Sequence, residues 1–263
     1  MDIRLREGGS GEGRPSRRPA NALSPRGVMS LGLAFALLAV LAGAQDETAF
    51  AARRKRMVAS QIAARGIRDP LVLRAMSDVP RHLFVPAGSV DLAYEDYPLA
   101  IGEGQTISQP FIVALMTELL HLDKEAKVLE VGTGSGYQAA VLARIASRVF
   151  TIEIHEALAR QAAGTLEKLG LGNVEVRTGD GFFGWPEEAP FDGVIVTCAV
   201  PDVPAALFAQ LKEGGRLVLP LGDPRTSQVL TVVTKRRGKP VREPVLDVRF
   251  VPMTGEVQKK KRP

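Results

Sequence analysis

Cysteine is nearly absent from this chain of 263 residues, in which Cys198 is the single example. One thiol excludes an intrachain disulfide and any cysteine-based zinc cluster. Histidine is scarce as well, and His82, His121 and His155 lack the short spacing that joins metal ligands in a sequence motif. We therefore expect no metal site.

The chain has neither the composition of a membrane-embedded protein nor that of a disordered protein. Charged residues make up 24% of the chain and hydrophobic residues 45%. These fractions exclude a polytopic membrane protein and a wholly disordered chain. The length suits the core of one globular domain or two, and no segment of the sequence repeats.

An excess of positive charge on the folded body is missing too. The formal net charge is +5, but residues 1–44 hold six arginines and three acidic residues. Residues 53–56 and 259–262 add eight positive charges, which leaves 20 basic and 26 acidic residues elsewhere. Because duplex binding rests on several Lys or Arg contacts from a structured face, we expect no nucleic-acid partner.

Residues 1–44 are organised as a leader. The composition of residues 1–27, rich in Gly, Pro, Ser and Arg, predicts disorder. The uncharged apolar run 31–42 and the small residues Ala42-Gly43-Ala44 are typical of a secretory signal peptide. A single membrane anchor and a buried helix are the alternatives. The favoured interpretation predicts cleavage after Ala44 and an exported or periplasmic protein, whereas a product that starts near Met57 would be cytoplasmic.

Helical patterns open the body of the chain. Apolar spacing predicts a helix over residues 47–64. Asp69 and Pro70 predict the N-cap and first residue of a second helix, and a third begins at Pro110. Residues 80–109, between the second and third helices, are predicted to be irregular. A long segment of this kind is more often functional than a mere connection.

From residue 127 onward, strands and helices alternate. The predicted strands are 127–131, 149–154, 174–178, 193–197 and 216–220, and the predicted helices are 138–147, 156–169 and 204–211. Continuous apolar strands separated by helices indicate a parallel sheet covered on both faces. Two further strand-like runs, 228–234 and 245–251, predict an antiparallel hairpin at the C-terminal end of the sheet.

A glycine-rich turn, Glu130-Val-Gly-Thr-Gly-Ser-Gly136, joins the first of these strands to a helix. Amides at such a turn can approach a ligand closely. The third glycine falls one residue early for a dinucleotide fingerprint, and Tyr137 stands where that fingerprint needs a small residue. The spacing is typical of S-adenosylmethionine sites, which cradle no diphosphate. The alternative is that these glycines only turn the chain.

Two acidic residues extend this prediction. Glu153 ends the next strand about 20 residues beyond the turn, where a carboxylate can accept both ribose hydroxyls. Asp180, before Gly181, ends the third strand, where it can accept a hydrogen bond from the adenine amino group. We expect both at the carboxyl edge of the sheet beside the glycine turn, although solvated strand ends are the alternative.

The chain from about Met57 to Gly255 resembles the protein-L-isoaspartate O-methyltransferases. The segments that carry the resemblance are Val79-Pro-Arg81, Gly102-Glu-Gly-Gln-Thr-Ile-Ser-Gln-Pro110, Val128–Gln138, Gly179-Asp-Gly181, Ala189–Gly193, Gly214–Pro220 and Arg249-Phe-Val-Pro252. The nucleoside motifs occur across methyltransferases, whereas the segment from Gly104 to Pro110 is specific to this family.

The resemblance implies a Rossmann-like α/β fold of the class I S-adenosylmethionine-dependent methyltransferases, with a mostly parallel, doubly wound sheet, N-terminal helices and a C-terminal antiparallel hairpin. We expect one domain over residues 45–255. Its parts are the N-terminal helices and active-site loop (45–109), the cofactor-binding core (110–222) and the C-terminal strands (223–255), followed by a basic tail (256–263). We also expect a monomer without stable membrane association once the leader is cleaved.

The resemblance further implies that S-adenosyl-L-methionine is the cofactor and that a methyl group is transferred to the free α-carboxylate of L-isoaspartyl residues. The damaged proteins and peptides that carry these residues are then repaired, because the methyl ester collapses to a succinimide. Two alternatives stay open at this point. One is a methyltransferase of the same fold that acts on another carboxylate or small molecule, and the other is an exported binding protein without activity.

Site residues follow from the motifs that match. The predicted catalytic residues are Ser108 and Thr106, although helix capping is the alternative for Ser108. The predicted cofactor contacts are Gln105, Glu130, Gly132, Thr133, Gly134, Ser135, Gly136, Glu153, Asp180 and Gly181. The predicted substrate contacts are Ile107, Val200, Phe250 and Val251, with ordinary strand packing as the alternative for the last two.

Methyl transfer to a carboxylate requires no proton transfer by these residues. An α-carboxylate has a pKa of about 3.5, so it is ionised at neutral pH and requires no general base. Catalysis then consists of alignment and exclusion of water. No G-x-S-x-G sequence surrounds Ser108, which disfavours a covalent serine mechanism.

Overall fold

The computed structural model describes residues 47–223 and 225–259. The predicted leader, 1–44, lies outside the described residues, and so does the second half of the predicted basic tail, 260–263, whereas its first half forms a short helix. No helix in the described part of the chain combines the length and apolar character that a membrane span requires.

The N-terminal segment is built of short helical elements. They are α1 (residues 47–57), a π-helical turn (Val58–Ile62), 3₁₀ turns (Ala63–Arg65, Arg81–Phe84 and Ala87–Leu92) and α2 (Pro70–Asp78). The predicted N-cap is confirmed, because the Asp69 carboxylate accepts hydrogen bonds from the amides of Leu71 and Val72. The core of this segment contains Met57, Ile62 and Met76, which are fully buried.

The segment 80–109, predicted to be irregular, contains a hairpin as well as the 3₁₀ turns. Strands β1 (Leu99–Gly102) and β2 (Gln105–Ile107) pair antiparallel across Gly102-Glu103-Gly104. All three turn residues have positive φ, at 97°, 52° and 69°. Strands of three and four residues are too short to show a periodic pattern, which is why sequence spacing does not reveal them.

The remaining elements alternate as predicted, with shorter helices. The strands are β3 (Lys127–Val131), β4 (Arg148–Glu153), β5 (Val174–Thr178), β6 (Phe191–Val196), β7 (Leu211–Leu221), β8 (Gln228–Arg236) and β9 (Lys239–Val248). The helices are α3 (Pro110–Leu119), α4 (Tyr137–Ala143), α5 (Glu156–Lys168), α6 (Ala205–Ala209) and α7 (Glu256–Lys259), with 3₁₀ turns at Gly181–Phe183 and Pro186–Glu188.

The seven strands β3 to β9 form one sheet in the order β5-β4-β3-β6-β7-β8-β9. The pairs among β3 to β7 are parallel, and the pairs β7–β8 and β8–β9 are antiparallel. The chain enters at β3, moves outward to β5 and returns on the other side of β3 as β6. This reversal makes a topological switch point between β3 and β6, where open α/β sheets bind ligands.

The last strand differs from its prediction. β9 covers Lys239–Val248 instead of residues 245–251, and it turns back from β8 at Arg237 and Gly238. Most of its side chains are exposed, and Pro240 and Pro244 interrupt its apolar pattern, as edge strands allow. Arg249, Phe250 and Val251 therefore follow the end of β9 and do not belong to a strand.

Both faces of the sheet are covered. Val128 and Leu129 are neighbours in β3, both are fully buried, and each belongs to a different apolar cluster. Successive strand residues point to opposite faces, so two separate cores are expected. This burial on both sides explains why the strands read as continuous apolar runs, and it confirms the predicted α/β architecture.

Candidate active site

A cavity opens where β3, β4 and β6 end, beside the switch point. We name it the strand-end cavity. Its lining residues are Gln105, Thr106, Val131, Gly132, Gly134, Ile152, Glu153, Ile154, His155, Gly181, Thr197, Cys198, Val251, Pro252, Met253 and Thr254. Seven of the residues predicted for the site are among them, contributed by the hairpin, the glycine turn, two strand ends and the segment after β9.

The glycine turn is held in place by the strand and helix beside it. Gly132 has a φ of 98°, and a Cβ there would lie 2.4 Å from the Thr197 Oγ1. That hydroxyl donates a hydrogen bond of 2.7 Å to the Gly132 carbonyl. Gly136 has a φ of 88°, and a Cβ there would lie 3.1 Å from the Cβ of Ala162 in α5. Both positions thus need glycine for backbone shape and for packing.

Glu153 connects the end of β4 to the glycine turn. Its Oε2 accepts a hydrogen bond of 2.8 Å from the Gly134 amide, and its Oε1 accepts one of 3.0 Å from the His155 amide. The carboxylate is buried and lines the strand-end cavity. Each carboxylate oxygen has a second lone pair, so the predicted contact with ribose hydroxyls is compatible with these bonds.

Asp180 anchors the C-terminal segment against the strand-end cavity. Its Oδ1 accepts a hydrogen bond of 2.9 Å from the Phe182 amide, and its Oδ2 accepts one of 2.7 Å from the Glu256 amide. The chain passes so close that a Cβ on Gly255 would lie 2.4 Å from Oδ2. Asp180 does not itself line the cavity, whereas its neighbour Gly181 does. The predicted adenine contact of Asp180 stays a prediction.

A second, smaller cavity lies on the other side of the glycine turn. This inner cavity is lined by Thr106, Ile107, Ser108, Val113, Glu130, Gly132, Thr133, Gly134, Ser135, Tyr137, Gln138 and Thr197. It shares Thr106, Gly132, Gly134 and Thr197 with the strand-end cavity. The two cavities therefore meet at one point, beside the residues predicted to be catalytic.

Glu130 brings a buried carboxyl group to the inner cavity. Its side chain is fully buried, and the Thr151 hydroxyl donates a hydrogen bond of 2.7 Å to its Oε2. Its Oε1 has no hydrogen-bond partner among the described residues. Burial raises the pKa of Glu130 to about 8, the Thr151 hydrogen bond opposes this rise, and the charge of Glu153 adds to it.

These groups fit a cofactor that joins a nucleoside to a cationic amino acid. The glycine turn leaves room for close backbone contact, and the Glu153 carboxylate lies at the strand-end cavity. The unpartnered Glu130 oxygen offers an acceptor to a positive group in the inner cavity. S-adenosyl-L-methionine has both parts, since its sulfonium and ammonium groups are cations.

A large cleft of about 790 Å³ lies outside these cavities. We name it the outer cleft. Its lining residues are Arg65, Pro98, Thr106, Ser108, Gln109, Phe111, Ile112, Thr197, Arg225, Thr226, Leu246, Asp247, Val248, Arg249, Phe250 and Val251. Thr106 lines all three spaces, and Ser108 lines the inner cavity and the outer cleft. These two residues stand at the boundary between the predicted cofactor and acceptor sites.

The Ser108 side chain is free to bind a ligand. The N-cap of α3 is Gln109, without a side-chain capping bond, and Ser108 makes no side-chain hydrogen bond with the described residues. Its carbonyl accepts a hydrogen bond of 2.8 Å from the Arg81 Nη2. Asp96 holds the next turn, since it accepts bonds from the Gln109 side chain at 2.8 Å and the Phe111 amide at 3.3 Å.

The predicted substrate contacts divide into two groups. Phe250 and Val251 line the outer cleft, and the Phe250 amide donates a hydrogen bond of 2.8 Å to Gln228. Ile107 is buried and faces the inner cavity instead. Val200 is fully buried in the apolar core and lines none of the three spaces, because its backbone pairs with Pro220 beside the sheet. The structure does not bring Val200 to the cleft.

Several residues of the site were not predicted. Thr197 and Cys198 line the strand-end cavity, and their position after β6, beside the switch point, was a usable signal. Burial and the charges of Glu153 and Asp180 raise the pKa of the Cys198 thiol to about 12, so it is a poor nucleophile at neutral pH. Within the described residues, no group of three or more His, Cys, Asp or Glu is placed to hold a metal ion.

The comparisons with known proteins agree on one family. The model of the protein-L-isoaspartate(D-aspartate) O-methyltransferase (PCMT) family matches residues 52–258. A protein-L-isoaspartate O-methyltransferase of Opitutus terrae is 53% identical over 224 residues, which cover 85% of this chain and 96% of that protein. Protein-L-isoaspartate O-methyltransferase 2 of Shewanella sediminis is 56% identical over 215 residues, 81% of this chain and 88% of that protein.

Solved structures give the same result. A protein-L-isoaspartate O-methyltransferase superposes with a TM-score of 0.72 and 33% identity, over 78% of this chain and 67% of that chain. A putative enzyme of the same description from Plasmodium falciparum, in complex with S-adenosyl-L-homocysteine, gives a TM-score of 0.67 and 25% identity. The match covers 76% of this chain and 98% of that one.

Proposed function

Because this chain belongs to the protein-L-isoaspartate O-methyltransferase family, we propose that its outer cleft receives the L-isoaspartyl residue of a damaged protein and that Ser108 and Thr106 hold the acceptor carboxylate. The protein is an S-adenosylmethionine-dependent repair methyltransferase with a class I fold. The observation that carries the proposal is the position of Thr106 and Ser108, which line both the cofactor side and the outer cleft.

The cofactor supplies, when bound, a methyl group activated by a positively charged sulfur. The glycine turn and Glu153 would hold its nucleoside, and Glu130 would accept a hydrogen bond from its cationic amino-acid part. The Ser108 and Thr106 hydroxyls donate hydrogen bonds to one oxygen of the acceptor carboxylate, which leaves the other oxygen free to react. Neutral donors suit this role because they orient the carboxylate without removing its charge.

The walls of the outer cleft complete the site. Phe250 and Val251 cover its apolar side and exclude water that would solvate the acceptor carboxylate. No side chain has to remove a proton, because a free α-carboxylate with a pKa of about 3.5 is ionised at neutral pH. The chain therefore acts by positioning and desolvation rather than by acid–base catalysis.

A pair of peptides tests the acceptor. One contains L-isoaspartate and its twin contains aspartate at the same position, and methyl ester formation is followed by mass spectrometry with S-adenosylmethionine present. We expect ester on the L-isoaspartyl peptide and little on the aspartyl twin. Equal methylation of both would mean a different carboxylate specificity, and absence of methylation together with absence of cofactor binding would mean a binding protein.

Export is a separate proposal, which the order of basic flank, apolar run and small-residue site in residues 1–44 supports. Cleavage after Ala44 gives a mature amino terminus at Gln45. Mass spectrometry of the native protein measures this terminus directly. A terminus at Met1 or near Met57 would contradict cleavage and favour a cytoplasmic product.

We also propose a monomer without stable membrane association. The exposed edge strand β9 supports this, because Pro240, Pro244 and the charged side chains of Arg242 and Glu243 discourage pairing with a second sheet. Light scattering after size-exclusion chromatography gives the mass in solution. A mass of two chains would contradict the proposal.

A further inference from the structure

Arg81 lies in the Val79-Pro-Arg81 segment, to which the proposed function assigns no role. Its side chain is fully buried, yet it forms no ion pair with an acidic residue of the described chain, and its Nη1 has no hydrogen-bond partner there. Burial lowers the pKa of Arg81 to about 10, so the guanidinium remains a cation at neutral pH. The charge of Asp96 acts on Arg81 from beyond ion-pair distance. A buried cation without a direct ion pair is unfavourable for folding, so its other contacts need an explanation.

These contacts join three parts of the chain, two of which belong to the site. The Arg81 Nε donates a hydrogen bond of 2.8 Å to the Ala93 carbonyl, and the Nη2 donates one of 2.8 Å to the Ser108 carbonyl. The guanidinium carbon lies 4.8 Å from the centroid of the Tyr137 ring. Arg81 thus bridges the loop that carries Ser108 and the first residue of α4, which directly follows the glycine turn.

Tyr137, on whose ring the Arg81 guanidinium packs, is itself held by neighbouring side chains. Its ring is fully buried and packs edge-on against Phe84, with the ring centroids 5.5 Å apart. Its hydroxyl points to the Met76 sulfur at 3.8 Å. Tyr137, the large residue that departs from the dinucleotide fingerprint, therefore packs against residues of the N-terminal segment.

We propose that Arg81 is a positioning residue for methyl transfer, an inference that rests on the proposed function. The Arg81 guanidinium packs on the Tyr137 ring and holds the Ser108 carbonyl. It thereby fixes residues 105–109, which we name the acceptor loop, relative to the glycine turn. A planar guanidinium can reach two carbonyls and cover a ring at the same time, whereas the single ammonium of lysine cannot reproduce this geometry. Arg81 touches neither substrate nor cofactor in this scheme and acts through Ser108.

Arg54 provides a matched control. It is also a buried arginine of the N-terminal segment, and its Nε donates a hydrogen bond of 2.6 Å to the Ser77 carbonyl. Its Nη1 donates one of 3.1 Å to the Tyr94 hydroxyl. Arg54 makes no contact with the acceptor loop, so Arg54→Lys should reproduce the loss of packing without the loss of positioning.

The experiment compares Arg81→Lys and Arg54→Lys in the full chain by steady-state kinetics, S-adenosylhomocysteine calorimetry and hydrogen exchange. We expect kcat on an L-isoaspartyl peptide to fall about tenfold to a hundredfold in Arg81→Lys, with the affinity for S-adenosylhomocysteine near that of the wild type. Amide exchange in residues 105–111 should become faster in Arg81→Lys only. Combined with Ser108→Ala, Arg81→Lys should add little further loss, because Arg81 acts by positioning the Ser108 hydroxyl, which that variant already lacks.

Three results would overturn the proposal. They are unchanged exchange in residues 105–111, an equal loss of kcat in Arg54→Lys, and additive effects of Arg81→Lys and Ser108→Ala. If Arg81→Lys does not fold, Tyr137→Leu removes the ring under the guanidinium and should accelerate the same exchange. A wild-type protein that methylates no L-isoaspartyl peptide would contradict the proposed function, while the exchange measurement would still decide the role of Arg81.

Discussion

Replacing Glu130 with glutamine removes the titrating group from the inner cavity and keeps its size. The pKa of Glu130 is raised from 4.5 to about 8, chiefly by burial. A folded-state pKa above the unfolded one means that the native protein holds a proton that the unfolded chain releases. The stability of the wild type therefore falls as the pH rises from 4.5 to about 8 and levels off above that value.

The size of this effect follows from the shift. The rise of the Glu130 pKa from 4.5 to about 8 corresponds to a loss of roughly 5 kcal/mol across that pH range. Glu130→Gln has no ionisable group at this position, so its stability should not fall in this pH range for this reason. We expect the variant and the wild type to differ little near pH 4.5, and the variant to gain several kcal/mol relative to the wild type by pH 9.

Urea unfolding at several pH values measures this difference. Glu95→Gln is the control, since Glu95 is exposed and its side chain has no partner among the described residues. Calorimetry of S-adenosylmethionine binding in buffers of different ionisation enthalpy supplies the second measurement. A bound cation should draw a proton from Glu130 of the wild type near pH 7 and none from the variant. A stability difference that is independent of pH would refute this reasoning.

The remaining predictions concern three other positions. Ser108→Ala should lower kcat/KM for the L-isoaspartyl peptide by about tenfold to a hundredfold, the worth of one hydrogen bond to a charged group, with S-adenosylhomocysteine affinity retained; lost affinity would place Ser108 in the cofactor site. Glu153→Ala should weaken S-adenosylhomocysteine binding in calorimetry, because the Gly134 amide also loses its acceptor; unchanged affinity would contradict this. Cys198 should react slowly with iodoacetamide at pH 7, since its thiol has a pKa of about 12; rapid alkylation would show that the thiolate is accessible.

The fold was largely predictable because its signals are local. The strands β3, β4 and β6 are short, largely apolar runs, and β5 alternates apolar and charged residues. Asp69 and Pro110 mark helix starts through capping and backbone preference. β9 was misplaced because its two prolines and its charges are those of an exposed edge strand. Its partner, β8, is apolar and was found.

The site was predictable where it follows strand ends or a matching segment. Glu153 lines the strand-end cavity, and Glu130 and Ser108 line the inner cavity, whereas the contacts predicted for them stay predictions. Val200 also follows a strand, but its backbone bonds to Pro220 and its side chain is buried in the core. That bond depends on the order of the strands in the sheet, which sequence spacing does not give. Arg81 and Asp96 act on the acceptor loop from 27 and 13 residues away, distances at which sequence spacing gives no geometric information.

The contact between Asp180 and the Glu256 amide has a consequence for biosynthesis. Val251 to Thr254, which wall the strand-end cavity, are translated after every strand of the sheet. A nascent chain can complete all seven strands and still have a cavity open on that side. The wall forms when Val251 and Met253 exchange backbone hydrogen bonds with Ala199 and the Glu256 amide bonds to Asp180. The residues that complete the cofactor site are thus synthesised after the sheet that supports it.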